Sequence, residues 1–331
     1  MSKPLVGVTF GDVSGIGPEL VARLAADTEA RRTARLLLVG DDWVLAEGRK
    51  IAGVSTLPVV RVSDFASARN ANGDILFLPL DTVAQSDVLP AQATQAAGAG
   101  ARAALDACLE AAQRGEIDAI CFAPLNKQAM KLGGMQFEDE LHYFADRLGV
   151  AGYFCEFNTL GPLWTSRMSS HVPLAEVAKY ITQDRIKAAA RLTYSTLKRA
   201  GFAAPRVAVA ALNPHGGEGG TCGREEIDII APAAKALNDE GLPIEGPYPA
   251  DTIFLKARDG KLDAIVTMYH DQGQVAVKLM GFERGVTVQG GLPVPITTPA
   301  HGTAFDIAGT GKANPSAMIQ AFLMAARLGR C

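Results

Sequence analysis

The feature that most constrains this chain is the alternation of short apolar runs with amphipathic stretches of helical length. Six runs are predicted to be buried strands, because each is continuously apolar and too short for a helix. They lie at residues 5–10, 36–39, 75–78, 119–122, 207–210 and 264–267. Helices are predicted at about 19–26, 92–114, 183–200, 224–238 and 316–328. Strands alternating with helices predict parallel sheets covered by helices on both faces, an α/β fold.

The length predicts two domains, since 331 residues is about twice the usual ~150 residues of one domain. No internal repeat, low-complexity tract or long linker separates two halves of the sequence. Two domains must therefore share crossing segments or pack closely.

Composition and charge exclude several classes of protein. No run of 18 apolar residues is present, so no membrane span is expected, and the first residues lack the features of a signal peptide. The net charge is −3 without a basic run, which argues against nucleic acid as a partner. The five cysteines are scattered and form no CxxC pair, so neither a disulfide framework nor a cysteine metal site is predicted. A cytoplasmic location is expected.

Histidine is rare, with five in the chain, and three of them lie in loops. His171, His215 and His270 each precede a turn or helix, and the last two follow clear apolar runs. Neutral imidazole is the commonest protein ligand for metals, and three of them leave coordination positions open for a substrate. Asp271 and Glu218 stand close by in sequence and could orient an imidazole. The alternative is that each histidine is an ordinary hydrogen-bonded loop residue.

Two glycine-rich segments are candidate ligand loops. Residues 11–19 follow the first strand and open a helix, whose N-terminus could bind an anion; the alternative is a tight loop. In residues 301–311, small side chains would let a ligand approach the backbone. There His301 could stack on an adenine and Asp306 could accept from a ribose hydroxyl, although a glycine-rich surface loop is an equal alternative. Asp251 is a further loop carboxylate, or a helix cap.

Seven motifs carry a resemblance to a known family across essentially the whole chain. They are GDxxGIGPE at 11–19, PLNK at 124–127, LNPHxGEGG at 212–220, EEID at 225–228, PADTxF at 249–254, YHDQGxxxxK at 269–278 and HGTAFDIAGxGKA at 301–313. With these motifs the sequence resembles the PdxA family. The last motif also resembles the adenine-side loop of isopropylmalate and isocitrate dehydrogenases. The resemblance therefore implies that superfamily's fold, two α/β/α domains with a cleft between them, predicted at 1–128 with 280–331 and at 129–279.

The resemblance also implies the cofactors and the chemistry. Members oxidise a substrate alcohol with NAD or NADP and then release carbon dioxide, using a divalent metal (Zn, Mg, Mn, Co or Ni, with zinc expected here). The metal ligands match His171, His215 and His270, one of them from the neighbouring subunit, which implies a homodimer with its site at the interface. Lys278 and Asp251 match catalytic positions. The predicted cofactor-binding residues are Gly11, Asp12, Gly15, His301, Gly302, Ala304, Asp306 and Asn314.

The substrate positions depart from the family's pattern. A His-Thr pair that contacts substrate falls on Glu140 and Leu141, and a downstream Asn and Arg fall on Thr287 and Ile296. Losing the Arg and gaining a carboxylate disfavours a phosphate. The sequence therefore predicts a non-phosphorylated substrate, such as a terephthalate-type cis-dihydrodiol carboxylate. The alternative is 4-hydroxythreonine 4-phosphate of pyridoxal phosphate biosynthesis, or a related sugar-acid phosphate. Two further alternatives are disfavoured. A phosphotransacylase would need neither the three histidines nor the adenine-side loop, and a non-catalytic binding protein would not need all three metal-ligand positions to be filled.

Overall fold

The computed structural model describes residues 3–330, which divide into two compact units. Among these residues the first unit comprises 3–151, 286–288 and 292–330, and the second comprises 152–285 and 289–291. The sequence predicted that the first stretch of this unit ends at residue 128, whereas in the structure it continues to Ala151. The sheets are mostly parallel and the elements alternate between strand and helix, so the predicted α/β class is confirmed.

The first unit contains most of the parallel strands. Its elements are β1 (Leu5–Thr9), α1 (Gly17–Ala26), α2 (Thr28–Thr33), β2 (Arg35–Asp41), α3 (Asp42–Ala52), β3 (Val59–Arg61), α4 (Phe65–Asn70), β4 (Ile75–Leu80), α5 (Gln95–Gln113), β5 (Ala119–Phe122), α6 (Lys127–Leu132), α7 (Glu140–Arg147), β11 (Val286–Gly290, whose last residues belong to the second unit), β12 (Ile296–Pro299) and α13 (Ser316–Leu328). The strand order is β3-β4-β2-β1-β5-β12-β11, and only the β11–β12 pair is antiparallel.

A glycine allows α5 and α6 of the first unit to pack closely together. Gly98 lies in α5, and a Cβ built there would stand 1.8 Å from the carbonyl oxygen of Ala129 in α6. Only a residue without a side chain allows the two helices to approach this closely. The rest of α5 is rich in small buried residues, as expected for a helix that packs tightly.

The second unit is built around five strands. Its elements are β6 (Cys155–Leu160), β7 (Leu163–Arg167), α8 (Val177–Tyr180), α9 (Gln183–Arg199), β8 (Val207–Ala210), α10 (Ala231–Asp239), β9 (Ile244–Tyr248), α11 (Ala250–Arg258), β10 (Ala264–Thr267) and α12 (His270–Gly281). The order is β6-β7-β10-β8-β9, with β6 and β7 antiparallel and the other pairs parallel. β8 and β10 are buried along their whole length.

All six strands predicted from the sequence are present; the helix predicted at 316–328 has the predicted ends, and the other predicted helices are found with shifted ends. The helix expected at 224–238 starts as a π-helical turn at Glu226–Ile230 and becomes α-helical at Ala231. Between residues 3 and 330, no helix is both long and apolar enough to cross a membrane.

Candidate active site

The parallel strands of the second unit deliver the predicted metal residues to one edge. His171 follows β7, His270 follows β10 and His215 follows β8, and these three strands are neighbours in the order β7-β10-β8. Asp251 follows the next strand, β9. Because carboxyl ends of parallel strands share one edge, residues distant in sequence are placed along that edge. The topology thus explains why the spacing of these histidines resembles no local metal motif.

His171 and His270 are the two histidines that lie side by side. Their ring centroids are 5.8 Å apart, and the ring planes are inclined by 39°. Asp271 holds the Nδ1 atom of His270 at 2.6 Å. His171 has a φ of 55°, a left-handed conformation that is unusual for a residue with a side chain. Such strain is found most often at functional sites.

His215 lies in a left-handed turn of five consecutive residues, 215–219, all with φ between 44° and 81°. Three of these five are glycines, but His215 and Glu218 are not, and left-handed backbone costs such residues roughly 1–2 kcal/mol each. The turn brings Glu218 next to His215, so that Glu218 Oε1 lies 2.7 Å from His215 Nδ1. Two of the three predicted ligands, His215 and His270, therefore have a carboxylate on Nδ1.

This donor set fits a divalent metal. When a carboxylate accepts a proton from Nδ1, the lone pair is on Nε2, which is the arrangement seen around protein-bound zinc. The three histidines do not form a closed ligand cluster in one chain. Between residues 3 and 330, the set of three or more His, Cys, Asp or Glu side chains whose candidate ligand atoms all lie within 4.8 Å of one another consists of Glu138, Asp139 and His142. Asp139 in that group caps α7 by accepting from the His142 N–H at 2.9 Å.

The predicted catalytic residues take different positions. Lys278 is exposed on α12, eight residues after His270, and so about 12 Å further along the helix axis. Asp251 lies in the first turn of α11, and the residue in the capping position is Pro249, so the alternative that Asp251 caps the helix is wrong. The start of α11 lies beside the His215 turn, since a Cβ on Gly216 would be 3.8 Å from Pro249.

The two glycine-rich segments meet in the first unit. The Ile16 N–H donates to the Thr303 carbonyl at 3.1 Å, and a Cβ on Gly15 would stand 2.7 Å from that same oxygen. Gly11 has a φ of 64° and no room for a side chain beside the Ala123 carbonyl. Of the other predicted cofactor residues, Ala304 is left-handed at φ 43°, His301 is half-buried, and Gly302 and Asp306 are exposed. Asn314 accepts from the Ser316 N–H at 3.0 Å.

Glu19 and Arg23 hold the second of these loops in place, a role the sequence reasoning missed. Glu19 is buried and accepts from the Ala313 N–H at 3.0 Å, while Arg23 pairs with Glu19 and donates to the Gly311 carbonyl at 2.7 Å. The signal was present in the sequence, since Glu19 ends the first quoted motif. It was not interpretable there, because the loop backbone that Glu19 and Arg23 bind lies almost 300 residues away.

Asp12 is an unusual buried carboxylate in the same region. It is 1% exposed, and its Oδ1 accepts from the Ser14 N–H at 2.9 Å. Its Oδ2 is buried without a hydrogen-bond partner among the described residues. Burial raises the pKa of Asp12 above its usual value, and the hydrogen bonds from Ser14 oppose this shift only in part. A perturbed carboxylate next to a predicted cofactor loop supports a functional role for this loop.

The predicted substrate positions are mostly buried in the first unit. Leu141 is 4% exposed, Thr287 is 8% exposed, and Ile296 is fully buried opposite Ile120; Glu140, at the start of α7, is half-buried. Three arginines could attract an anion instead; Arg284 is exposed, and the other two are already paired. Arg147 binds Asp106 at 2.9 Å, and the buried Arg167 binds Glu156 and Asn158.

The buried cysteines are unsuited to act as nucleophiles. Burial raises the pKa of Cys108, Cys121 and Cys155 to about 12 each, so these thiols stay protonated at neutral pH. These three thiols are therefore not candidates for a catalytic role.

Residues 32–325 match the family model described as "Pyridoxal phosphate biosynthetic protein PdxA". A Pseudomonas aeruginosa protein named "Putative 4-hydroxythreonine-4-phosphate dehydrogenase 2" is 50% identical over 331 residues, covering 99% of this chain and 98% of the relative. The crystal structure of a 4-hydroxythreonine-4-phosphate dehydrogenase from Burkholderia phymatum is 35% identical, with a TM-score of 0.83 and 99% coverage of both chains.

Two further solved structures are informative. A terephthalate 1,2-cis-dihydrodiol dehydrogenase from Burkholderia xenovorans is 30% identical, with a TM-score of 0.70 and 98% coverage of both chains. An isocitrate dehydrogenase from Methylococcus capsulatus has a TM-score of 0.51 at 16% identity, covering 99% of this chain and 88% of that chain. At this identity the likeness is one of fold alone, and it confirms the predicted isocitrate dehydrogenase-like fold.

Proposed function

Because this chain belongs to the PdxA family of dehydrogenases, we propose that it is an NAD(P)- and divalent-metal-dependent decarboxylating dehydrogenase of a hydroxy acid. The observation that carries the proposal is that His171, His215 and His270 follow neighbouring strands, and that two of them have a carboxylate within hydrogen-bond distance of Nδ1. A divalent ion, when bound, supplies Lewis-acid polarisation of the substrate oxygen. NAD or NADP, when bound, supplies the hydride acceptor.

The chain's own residues orient the reactants. Glu218 and Asp271 fix the ring orientation of His215 and His270, and they keep the ring proton on Nδ1, which leaves the lone pair on Nε2. Lys278 is proposed to bind an anionic group of the substrate or to donate a proton to the product. Asp251 is proposed to act near the reacting hydroxyl. The loops at 11–17 and 301–314 are proposed to hold the nicotinamide cofactor.

The first candidate substrate class is a phosphorylated hydroxy acid. Support comes from the names of the similar proteins, of which two are called 4-hydroxythreonine-4-phosphate dehydrogenases. The reaction is then oxidation of the carbinol carbon to a ketone with hydride transfer, followed by loss of the carboxyl group as carbon dioxide.

A second candidate class is a non-phosphorylated hydroxy acid, favoured by one specific observation. Glu140 brings a carboxylate to a position where the family binds substrate, and Ile296 replaces an arginine there. A dianionic phosphate would be repelled by the first and unpaired at the second. The solved terephthalate dihydrodiol dehydrogenase gives an example of such a substrate within the same fold.

Steady-state kinetics with both substrate classes decide between them. The purified protein is assayed by formation of reduced nicotinamide, with NAD or NADP and each of Zn²⁺, Mg²⁺, Mn²⁺, Co²⁺ and Ni²⁺. If kcat/KM for 4-hydroxythreonine 4-phosphate exceeds that for a terephthalate-derived cis-dihydrodiol by about 100-fold, the first candidate stands, and the reverse ratio supports the second. A Glu140→Gln variant that gains activity toward the phosphate ester would assign the repulsion to Glu140.

Metal dependence is tested at His215. We expect His215→Ala to lower both bound metal and kcat by at least about 100-fold, because one of three ligands is lost. Retained activity in a preparation free of bound metal would contradict the mechanism. The control is Lys235→Ala, which removes an exposed side chain of α10 that pairs with Asp239 and carries no metal-ligating atom in the neutral range.

The same proposal includes a homodimer. α12 carries exposed apolar side chains on one stretch, with Val275 57%, Leu279 83% and Met280 39% exposed. These three lie on the helix that begins with His270 and includes Lys278. A face of this kind is commonly covered by a protein partner, and a second copy of this chain would bring Lys278 close to the interface.

A further inference from the structure

The EEID motif at residues 225–228 has no part in the function proposed above, yet one of its residues lies under the His215 turn. Glu226 is 4% exposed and begins the π-helical turn Glu226–Ile230. In this turn the Ala231 N–H donates to the Glu226 carbonyl, five residues back. π-helical turns are rare in proteins, and those that occur are often found at functional sites. The question is what the buried carboxylate does there.

Glu226 contacts the segment that leads into the left-handed turn. Its Oε1 accepts from the backbone N–H groups of both Leu212 and Asn213, each at 2.8 Å. Its Oε2 accepts from Asn213 Nδ2 at 3.0 Å. The carboxylate thereby satisfies three donors at the point where the chain leaves β8. Burial opposes ionisation of Glu226, but these hydrogen bonds outweigh it and hold the pKa below its usual value.

Glu226 also leaves no room for a side chain at position 217. A Cβ built on Gly217, in the middle of the left-handed turn, would lie 2.7 Å from Glu226 Oε2. The turn is therefore fixed on its inner side by the carboxylate, while its outer residues His215 and Glu218 are exposed. A backbone with two strained residues persists only where surrounding contacts overdetermine it.

We propose that Glu226 is a positioning residue that holds the left-handed turn 215–219 so that His215 presents its Nε2 to the metal. The inference rests on the proposed function for the identity of the metal ligand, although the contact between Glu226 and the turn does not. Glu226 acts through the backbone of Leu212 and Asn213, and it does not touch the reacting atoms.

The test compares Glu226→Gln with Asp228→Asn in the metal-free protein. Asp228 lies two residues along the same segment, is exposed and pairs only with Arg224 among the contacts described, so its variant is a matched control. The introduced glutamine keeps one acceptor but opposes its own N–H₂ group to Asn213 Nδ2. We expect hydrogen exchange in a peptide covering 211–220 to become at least about tenfold faster in Glu226→Gln, and to be unchanged in Asp228→Asn.

The second measurement is Co²⁺ affinity, from the absorption spectrum during titration. We expect Glu226→Gln to bind Co²⁺ about 10–100-fold more weakly, as is typical when a residue that orients a ligand is lost. If Glu226→Gln does not fold, Asn213→Ala replaces it, with Glu225→Gln as its control, since Asn213 Nδ2 donates to both Glu226 Oε2 and Glu225 Oε2. Unchanged exchange, or faster exchange with unchanged Co²⁺ affinity, would overturn the inference. Faster exchange in a protein whose Co²⁺ affinity is also insensitive to His215→Ala would reject the proposed metal site and leave the Glu226 contact standing.

Discussion

Apart from the left-handed Ala91, the strained non-glycine residues of the described chain lie at or beside the predicted metal and cofactor residues. His171, His215, Glu218 and Ala304 adopt left-handed backbone, and all four lie in or beside the proposed ligand loops. Asp12 adds a buried carboxylate oxygen without a hydrogen-bond partner among residues 3–330. Each feature costs free energy in the folded state, and natural sequences keep such costs mainly where function requires them. Stability and activity should therefore respond in opposite directions at these residues.

Asp12→Asn tests this opposition. Burial raises the folded-state pKa of Asp12, so its charged form destabilises the fold at neutral pH, and this cost disappears as pH falls through the raised pKa. We expect Asp12→Asn to increase the free energy of unfolding by about 1 kcal/mol at pH 7. That advantage should be lost as the pH falls toward 3.8, the ordinary pKa of an aspartate. Urea denaturation at several pH values measures both, with Asp81→Asn as the control, because Asp81 is exposed and lies outside the predicted site residues. We also expect the Asp12→Asn variant to bind NAD or NADP more weakly. Lower stability of Asp12→Asn at pH 7 would contradict the conclusion that the charged Asp12 destabilises the fold.

At the scale of elements, the sequence predicted strands where burial is achieved by apolar side chains and missed them elsewhere. β8 and β10 are continuous apolar runs and were predicted. β7 was not, because Thr165, Ser166 and Arg167 are polar yet buried, with Arg167 satisfied by Glu156 and Asn158. β12 was missed for the same reason, since Thr297 is buried by donating to the Ala321 carbonyl at 2.8 Å. Polar satisfaction depends on partners far along the chain, which periodicity does not reveal.

Gly98→Ala tests the contact between α5 and α6. In an isolated helix this change is stabilising by about 1 kcal/mol. Here the new Cβ would stand 1.8 Å from the Ala129 carbonyl oxygen, so the helices must separate. We expect a net loss of about 1–3 kcal/mol in the free energy of unfolding, seen as a lower urea midpoint. Gly152→Ala is the control, because a Cβ there meets no atom within 4 Å. A stabilised Gly98→Ala protein would mean that α6 is free to move away.

For the whole molecule, the sequence motifs identified the family, whereas the way the predicted site residues come to one edge follows from the order of the strands. The order β7-β10-β8 explains how His171, His270 and His215 reach one edge, but their ligand atoms do not close into a cluster within residues 3–330. The histidines could be chosen from sequence because they are scarce and follow strands. The orienting contacts of Glu226, Glu19 and Arg23 could not, because they join segments that only the fold brings together.

Leu279→Glu tests whether a second copy completes the molecule. Leu279 is 83% exposed on α12, and covering one leucine contributes roughly 1.5–3 kcal/mol. A buried, unpaired carboxylate would cost more, so we expect the dimer dissociation constant to rise at least about 100-fold. Sedimentation velocity over a range of concentrations measures this, and kcat should fall in parallel if the partner contributes to the site. Leu132→Glu is the control, since Leu132 is 49% exposed on α6 in the other unit. A Leu279→Glu protein that remains dimeric would place the interface elsewhere, whereas a monomer with full activity would show that one chain suffices for catalysis.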